Sequence, residues 1–381
     1  MHILLISPYH GGSHQAWAEG YRRYSAHMVE LLALPAHFWK WRMHGGAVTL
    51  ARRWLAAGAG PLPDLLLATD LLDLTTFLAL TRQQTADIPA AVYMHENQLT
   101  YPLPDDPTTG PMRRQLGERD RHYAFINYAS MLAATRVFFN SHYHLTTFFD
   151  ALTPFLRHYP EYNELDTVEL LRGKSEVLPV GIDLRRLGAE PPNLEPAAPP
   201  LILWNQRLEY DKNPEQFIRV LNELAAEGIA FRIALCGERF GAPSQAWQEG
   251  VTALGARVIY DGYANDETYR RLLWEATLTF STAHHEYFGI SILEAIAAHT
   301  LPLLPNRLSY PEIIPPDFHA HCLYRSRDHL MARLRWALSR PAEAGAIARR
   351  LAAATAGYDW VALAPTYDQK LVAIVEGARP E

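Results

Sequence analysis

Two glutamates, Glu286 and Glu294, sit in His284-His-Glu-Tyr-Phe-Gly-Ile-Ser-Ile-Leu-Glu-Ala295, where an aromatic and a glycine separate the first from an apolar helical run containing the second. Gly289 lets the backbone turn tightly. A helix starting near Ile290 would offer unpaired amides to an anion such as a diphosphate. Glu286 would then lie in the loop and Glu294 inside the helix, with phosphates between them. Ser291-Ile-Leu-Glu294 also fits a capping box, in which Glu294 only closes a helix start.

Other polar groups tip this balance. Asn205-Gln-Arg-Leu-Glu-Tyr-Asp-Lys-Asn-Pro214 follows an apolar run, and Pro214 can begin a helix. Arg207 and Lys212 would stand at the carboxyl end of a strand, where a guanidinium and an ammonium suit a leaving diphosphate. An exposed charged loop is the plainer reading of that pair alone. Tyr9-His-Gly-Gly-Ser-His14 places Gly11 and Gly12 after the first apolar run, allowing close backbone approach to a phosphate or sugar. It is not the G-x-G-x-x-G fingerprint, which disfavours a dehydrogenase. His95-Glu-Asn-Gln98 closes the run Ala90–Met94 and puts His95 at another strand end. No Asp-x-Asp occurs, and neither a metal nor a cofactor is expected.

The elements that must position these groups read as alternating strands and helices. His2–Ser7, Leu65–Thr69, Ala90–Met94, Arg136–Asn140 and Val177–Asp183 are short apolar strand candidates, with helical patterns over Ala16–Leu32 and Tyr123–Ala134. A second series, Leu201–Asn205, Arg232–Cys236, Val258–Tyr260 and Thr279–Ser281, follows a proline-rich stretch and ends in an amphipathic helix over Trp360–Glu376. Alternation of this kind implies parallel sheets covered by helices, with ligands at the carboxyl strand ends. The reading is α/β with two Rossmann-like domains facing across a cleft: an N-terminal domain over 1–187, a linker over 188–200, a second domain over 201–359, and a terminal segment over 360–381.

The 381 residues, 49% of them apolar and 20% charged, suit two soluble domains. Two cysteines, outside any C-x-x-C pair, suit a reducing cytoplasm. No signal peptide or membrane span is expected. A net charge of −6 argues against nonspecific coating of nucleic acid, though not against a local basic patch.

In their order along the chain, Gly11-Gly12, Val177–Asp183, Arg207 with Lys212, and Glu286 with Glu294 resemble the retaining, metal-independent glycosyltransferases of family 4, which have the GT-B fold. Tyr358-Asp-Trp360 with Tyr367 resembles that family's closing helix, which crosses back to the first domain. The resemblance implies that Glu294 binds the donor ribose and that Glu286 contacts the transferred sugar. Phe288, Gly289 and Ile290 would lie near sugar or phosphate, and Arg207 and Lys212 would hold the diphosphate. Gly11 and Gly12 would approach the donor, and His95 would lie beside the reacting centre. The catalytic set is therefore Glu286, His95, Arg207 and Lys212.

Ser7-Pro-Tyr-His-Gly-Gly-Ser-His-Gln15, His95-Glu-Asn-Gln-Leu-Thr-Tyr-Pro102, Phe139-Asn-Ser-His-Tyr-His144 and Glu286-Tyr-Phe-Gly-Ile290 narrow this to a resemblance to the tRNA-queuosine mannosyltransferase group. It implies GDP-mannose as co-substrate and queuosine in the anticodon of aspartate tRNA as acceptor, with no membrane partner. His14 and Asn97 become acceptor-side candidates. Lys40, Arg42, Arg52 and Arg53 lie in an aromatic-rich basic stretch that includes Phe38-Trp-Lys-Trp-Arg-Met-His44, suited to phosphates and splayed bases. Arg113, Arg114, Arg119 and Arg121 form a second, diluted basic cluster. The rival readings are a GT-B nucleotide-sugar epimerase, a glycosyltransferase with another donor or a lipid or small-molecule acceptor, and a noncatalytic RNA-binding protein.

Overall fold

Most of the apolar runs become strands of two parallel sheets. The computed structural model describes residues 1–58, 60–102, 110–190, 199–239 and 241–378, with 110–120 by backbone alone. The chain divides into two compact units, Met1–Asp183 with Tyr358–Glu381, and Leu184–Gly357.

In the first unit, β1 is His2–His10, β2 Met28–Pro35, β3 Leu65–Thr69, β4 Ala90–Met94, β5 Arg136–Phe139 and β6 Ser175–Val177. They form one sheet in the order β2-β1-β3-β4-β5-β6, all parallel. β3 and β4 are buried at every residue, as parallel strands covered on both faces must be. The second unit contains β7 Leu201–Trp204, β8 Arg232–Leu235, β9 Val258–Asp261, β10 Leu278–Phe280, β11 Leu301–Pro305 and β12 Leu323–Tyr324. Their order is β12-β11-β10-β7-β8-β9, again parallel.

Several boundaries differ from the sequence reading. The expected helix over Ala16–Leu32 is instead Gly12–Tyr24, and Ser25 turns extended. Leu31 and Leu32 pair with Leu5 and Ile6 in β2. Tertiary pairing with β1 overrides the helical periodicity there. Val177 ends β6, and beyond it only Ile182 makes an isolated bridge, to Asp359. β11 escaped notice because Pro302 and Pro305 argue against a central strand. The two units part between Asp183 and Leu184 rather than within 188–200. Leu184–Leu187 forms a 3-10 turn of the second unit, and residues 191–198 of the expected linker lie outside the described residues. The first unit resumes at Tyr358.

The returning segment is the helix Trp360–Ala378, clasped to the helix Gly12–Tyr24. Trp360 is fully buried, and a Cβ at either Gly20 or Gly181 would fall inside its ring. The Trp17 indole donates to Tyr367 Oη at 3.0 Å, and that hydroxyl donates to the Pro179 carbonyl at 2.7 Å. Asp368 accepts from Tyr21 Oη at 2.8 Å, Ser25 Oγ at 2.6 Å and the Ala26 amide at 2.8 Å.

Candidate functional site

Strand order places a ligand site in each unit. The second sheet reverses direction between β7 and β10, and the first between β1 and β3. Such switch points leave a crevice at the carboxyl strand ends. The loops that leave those strand ends carry most of the residues singled out from the sequence.

In the second unit, the loop after β7 delivers Lys212 and the loop after β10 delivers Glu286. Lys212 Nζ lies 3.1 Å from Glu286 Oε2 and 3.0 Å from Asp211 Oδ2, and donates to the His285 carbonyl at 2.9 Å. Burial alone would lower the Lys212 ammonium, but the Glu286 and Asp211 carboxylates outweigh it and raise it above its ordinary range. The group is therefore a fixed, desolvated cation. Arg207 is half-exposed and pairs with Glu209 at 3.2 Å, which leaves its guanidinium partly open to solvent. Gly289, at φ 106°, begins the helix Ile290–Ala297, and no side chain caps it. The capping-box alternative for Glu294 is thus not realised. Phe288 is buried, and its carbonyl accepts from Ser309 Oγ at 3.0 Å.

Glu294 is 5% exposed and is held from two directions. Tyr269 Oη donates to its Oε2 at 2.8 Å, and Arg186 forms a hydrogen-bonded ion pair with Oε1. Asn205 Nδ2 in turn donates to Tyr269 Oη at 3.1 Å and to the Ser291 carbonyl at 2.8 Å. Asn205 thereby links the end of β7 to the first turn of the helix.

In the first unit, Gly11 packs so closely on Ala36 that a Cβ would collide with it, and Gly12 has φ 53°. These glycines turn the chain from β1 into the helix that carries His14 and Trp17. His95 follows β4, its ring 4.4 Å from His14, 4.7 Å from Trp17 and 4.7 Å from Tyr93 between centroids. Its backbone is fixed at both polar atoms, the amide donating to Asp70 Oδ1 at 3.0 Å and the carbonyl accepting from Asn140 at 2.9 Å. Burial, then His14 and His144, hold the His95 imidazole well below its ordinary pKa, so it is neutral. Burial, then Glu96, push the Asp70 carboxyl well above its own. His95 Nε2 and Asp70 Oδ2 are both buried without a hydrogen-bond partner among the described residues. Such atoms call for an explanation, and a bound hydroxyl would supply one.

The acceptor-side candidates divide. His14 belongs to the His95 ring cluster. Asn97 is fully buried, and its Oδ1 accepts from the Leu99 and Thr100 amides at 3.0 and 2.8 Å, so it closes a turn. Lys40 Nζ lies over the Trp39 and Tyr123 rings at 5.3 and 5.6 Å. Arg42 Nε donates to the Pro35 carbonyl at 3.1 Å. Arg52 and Arg53 are exposed on the helix Ala47–Ala56. The side chains of Arg113, Arg114 and Arg119 lie outside the described residues, and Arg121 is exposed.

Sequence reasoning missed Arg186, Asp211, Tyr269, His285 and Asp70. Asp70 was findable, because it directly ends a buried strand. His285 is 6% exposed, and burial and then the Lys212 charge lower its pKa to about 4. Its unfolded form takes a proton near 6.5, so its contribution to stability is full above that pH and is lost as pH falls toward 4. Going from pH 7 to pH 5 should therefore cost the second unit about 2 kcal/mol through this group. Urea midpoints at both pH values check this, since His285→Phe should flatten the slope. An unchanged slope refutes the assignment.

Residues 2–182 match the sequence model of the family described as "tRNA-queuosine alpha-mannosyltransferase N-terminal", and 189–354 match "Glycosyl transferases group 1". A Drosophila melanogaster protein named tRNA-queuosine alpha-mannosyltransferase is 32% identical over 328 residues, covering 83% of this chain and 82% of that protein. A GDP-mannose-dependent phosphatidylinositol dimannoside mannosyltransferase of Mycobacterium tuberculosis is 28% identical over 142 residues, 37% of this chain and 36% of its own. Among solved structures, sucrose-phosphate synthase from Thermosynechococcus elongatus has a TM-score of 0.70 at 14% identity, covering 99% of this chain and 100% of that one. Anabaena HepE in complex with UDP has a TM-score of 0.66 at 14% identity, covering 98% and 100%. At that identity these two speak for the fold, which is GT-B. Identity spread over most of both chains makes this protein a glycosyltransferase, a member of the tRNA-queuosine alpha-mannosyltransferase family.

Proposed function

We propose that the chain transfers mannose from GDP-mannose to queuosine in the anticodon of aspartate tRNA, with retention and without a metal. The observation that carries the acceptor is the 32% identity, over 83% of the chain, to the Drosophila melanogaster protein named tRNA-queuosine alpha-mannosyltransferase. Support for the donor is narrower. It comes from the Mycobacterium tuberculosis relative, whose name specifies GDP-mannose and whose likeness covers 37% of this chain.

The chemistry of each unit suits these roles. Glycosyl transfer passes through a cationic, oxocarbenium-like state while negative charge grows on the leaving diphosphate. Lys212, kept charged by two carboxylates, and the half-exposed Arg207 meet that growing charge, together with the uncapped amides at the start of the helix Ile290–Ala297. Glu286, oriented by Lys212, faces the sugar. Glu294 keeps lone pairs beyond those used by Arg186 and Tyr269, and it offers them to ribose hydroxyls. A neutral His95 can hydrogen-bond a sugar hydroxyl without repelling a cationic centre, which a protonated imidazole would do. Two buried, unpaired cysteines suit a reducing compartment such as the cytoplasm.

The test incubates the protein with GDP-mannose or with UDP-sugars, with and without queuosine-containing tRNA, and analyses nucleosides by mass spectrometry. A hexose mass gain on queuosine with GDP-mannose alone is expected. A gain with a UDP-sugar instead overturns the donor, and no gain with any donor overturns the acceptor.

A further inference from the structure

The most exposed aromatic side chains in the basic stretch are Phe38, 83% exposed, and Trp41, 62% exposed. Neither is there for the core. Phe38 also adopts φ 50° and ψ 59°, a left-handed conformation that a bulky residue avoids unless its surroundings impose it. The surroundings do impose it. The Phe38 carbonyl accepts from the Trp41 amide at 2.8 Å and the Arg42 amide at 3.1 Å, and Arg42 Nε ties back to Pro35. Trp41 lies against Gly45, where a Cβ would come within 2.6 Å of its ring. Gly45 belongs to a π-helical turn, Arg42–Gly46, a rare form that recurs at functional sites. Two large rings are thus carried into solvent on a backbone fixed by local hydrogen bonds.

Their place in the fold is specific. Met43 is buried with Leu71 and Ile126, and Tyr9, Trp39 and Tyr123 pack on that small core. Gly46 touches Pro8 at 3.2 Å from where its Cβ would stand. The platform is therefore anchored at the carboxyl ends of β1 and β3, the end of the sheet that also carries His95. Rings continue inward from it, with Tyr9 5.8 Å from His14 and His14 4.4 Å from His95. The stretch itself is one-sided in charge. From Pro35 to Pro63 there is no Asp or Glu, but there are Lys40, Arg42, Arg52 and Arg53, in a chain whose net charge is −6.

We propose that Phe38 and Trp41 are a stacking platform for unpaired nucleotides of the acceptor RNA next to the modified base. Aromatic rings beside cations hold splayed bases by stacking and their phosphates by charge, and stacking discriminates little between sequences. This makes the platform a device for presenting a looped strand to the site at His95. The inference rests on the tRNA reading above.

The test compares wild type with Phe38→Ala plus Trp41→Ala, with Phe38→Tyr plus Trp41→Phe, and with Gly45→Ala, whose added Cβ displaces the Trp41 ring. Measured are Kd for queuosine-containing tRNA across a salt series, Kd for GDP, Tm, and flotation with vesicles containing anionic lipid. The alanine pair should weaken tRNA binding at least tenfold, with GDP affinity within twofold and Tm unchanged. The ring-retaining pair should keep most of the binding, and Gly45→Ala should lose part of it. Because stacking releases no counterions, the slope of log K against log salt should stay that of wild type. Unchanged tRNA affinity in the alanine pair overturns the platform, as does a loss shared equally with GDP. Vesicle binding that vanishes in the alanine pair while tRNA binding persists assigns the rings to a membrane and equally overturns it. Wild-type protein that binds no tRNA defeats the acceptor reading itself, and this inference with it.

Discussion

Lys212→Met should cost the chain both turnover and stability. Loss of a fixed cation at a developing negative charge typically lowers kcat by about 100- to 1000-fold, or roughly 3–4 kcal/mol of transition-state stabilisation. The stability loss comes from the carboxylates left behind. Asp211 is 1% exposed by its side chain and Glu286 17%, and both lie within 3.1 Å of the ammonium. Removing one member of a buried ionic cluster costs about 3–5 kcal/mol. Arg207→Gln is the contrasting variant. Its side chain is 45% exposed, so turnover should fall with little change in Tm. Steady-state kinetics and thermal melts at pH 7 separate the two. Lys212→Met with wild-type turnover would remove Lys212 from the reaction, and a melting temperature unchanged at pH 7 would remove it from the structural account.

Trp360→Ala should be the most destabilising single change in the first unit. Deleting a fully buried tryptophan costs about 3–5 kcal/mol, and little can collapse into the space because glycines line it at Gly20 and Gly181. For a unit of this size that lowers Tm by roughly 6–20 °C. Activity should fall as well. Tyr367, on the same helix, lies 6.4 Å from the Trp17 ring and 6.0 Å from the Tyr93 ring, and those two rings flank His95. Gly181→Ala should reproduce the effect from the opposite side by driving a methyl into the indole. A shift below 2 °C in both variants would show that the helix is not held by this contact.

The fold was legible where local pattern and tertiary demand agree. β3 and β4 are uniformly apolar, short and bounded by turn residues, so their limits follow from the residues alone. β2 was hidden because its leucines continue the periodicity of the preceding helix, and only pairing with β1 identifies it. β12 has two residues, too few for any pattern. The same division holds at the site. Lys212 and Glu286 were recognisable because each lies in a polar cluster directly after an apolar run. The partners of Glu294 were not, since Arg186 stands 108 positions away and Tyr269 25 positions away, and nothing local marks either. In the basic stretch the sequence marks cations and aromatics alike and does not say which stand outermost. Folding ties the Arg42 guanidinium to the Pro35 carbonyl and leaves Phe38 and Trp41 most exposed, an arrangement that depends on one left-handed residue and one π-helical turn.

The first unit closes with residues that follow the second in the chain. A ribosome that has released Asp183 must still add about 170 residues before Tyr358 emerges. At roughly 5–20 residues per second this is an interval of about 10–35 s. During that interval the groove that receives Trp360 stands open, with Trp17, Tyr21, Gly20 and Gly181 exposed. The second unit is continuous and can complete its sheet first, so the order of maturation runs opposite to the order of synthesis. Nascent chains arrested before residue 358 should therefore engage chaperones through the first unit, at the surface that the helix Trp360–Ala378 covers.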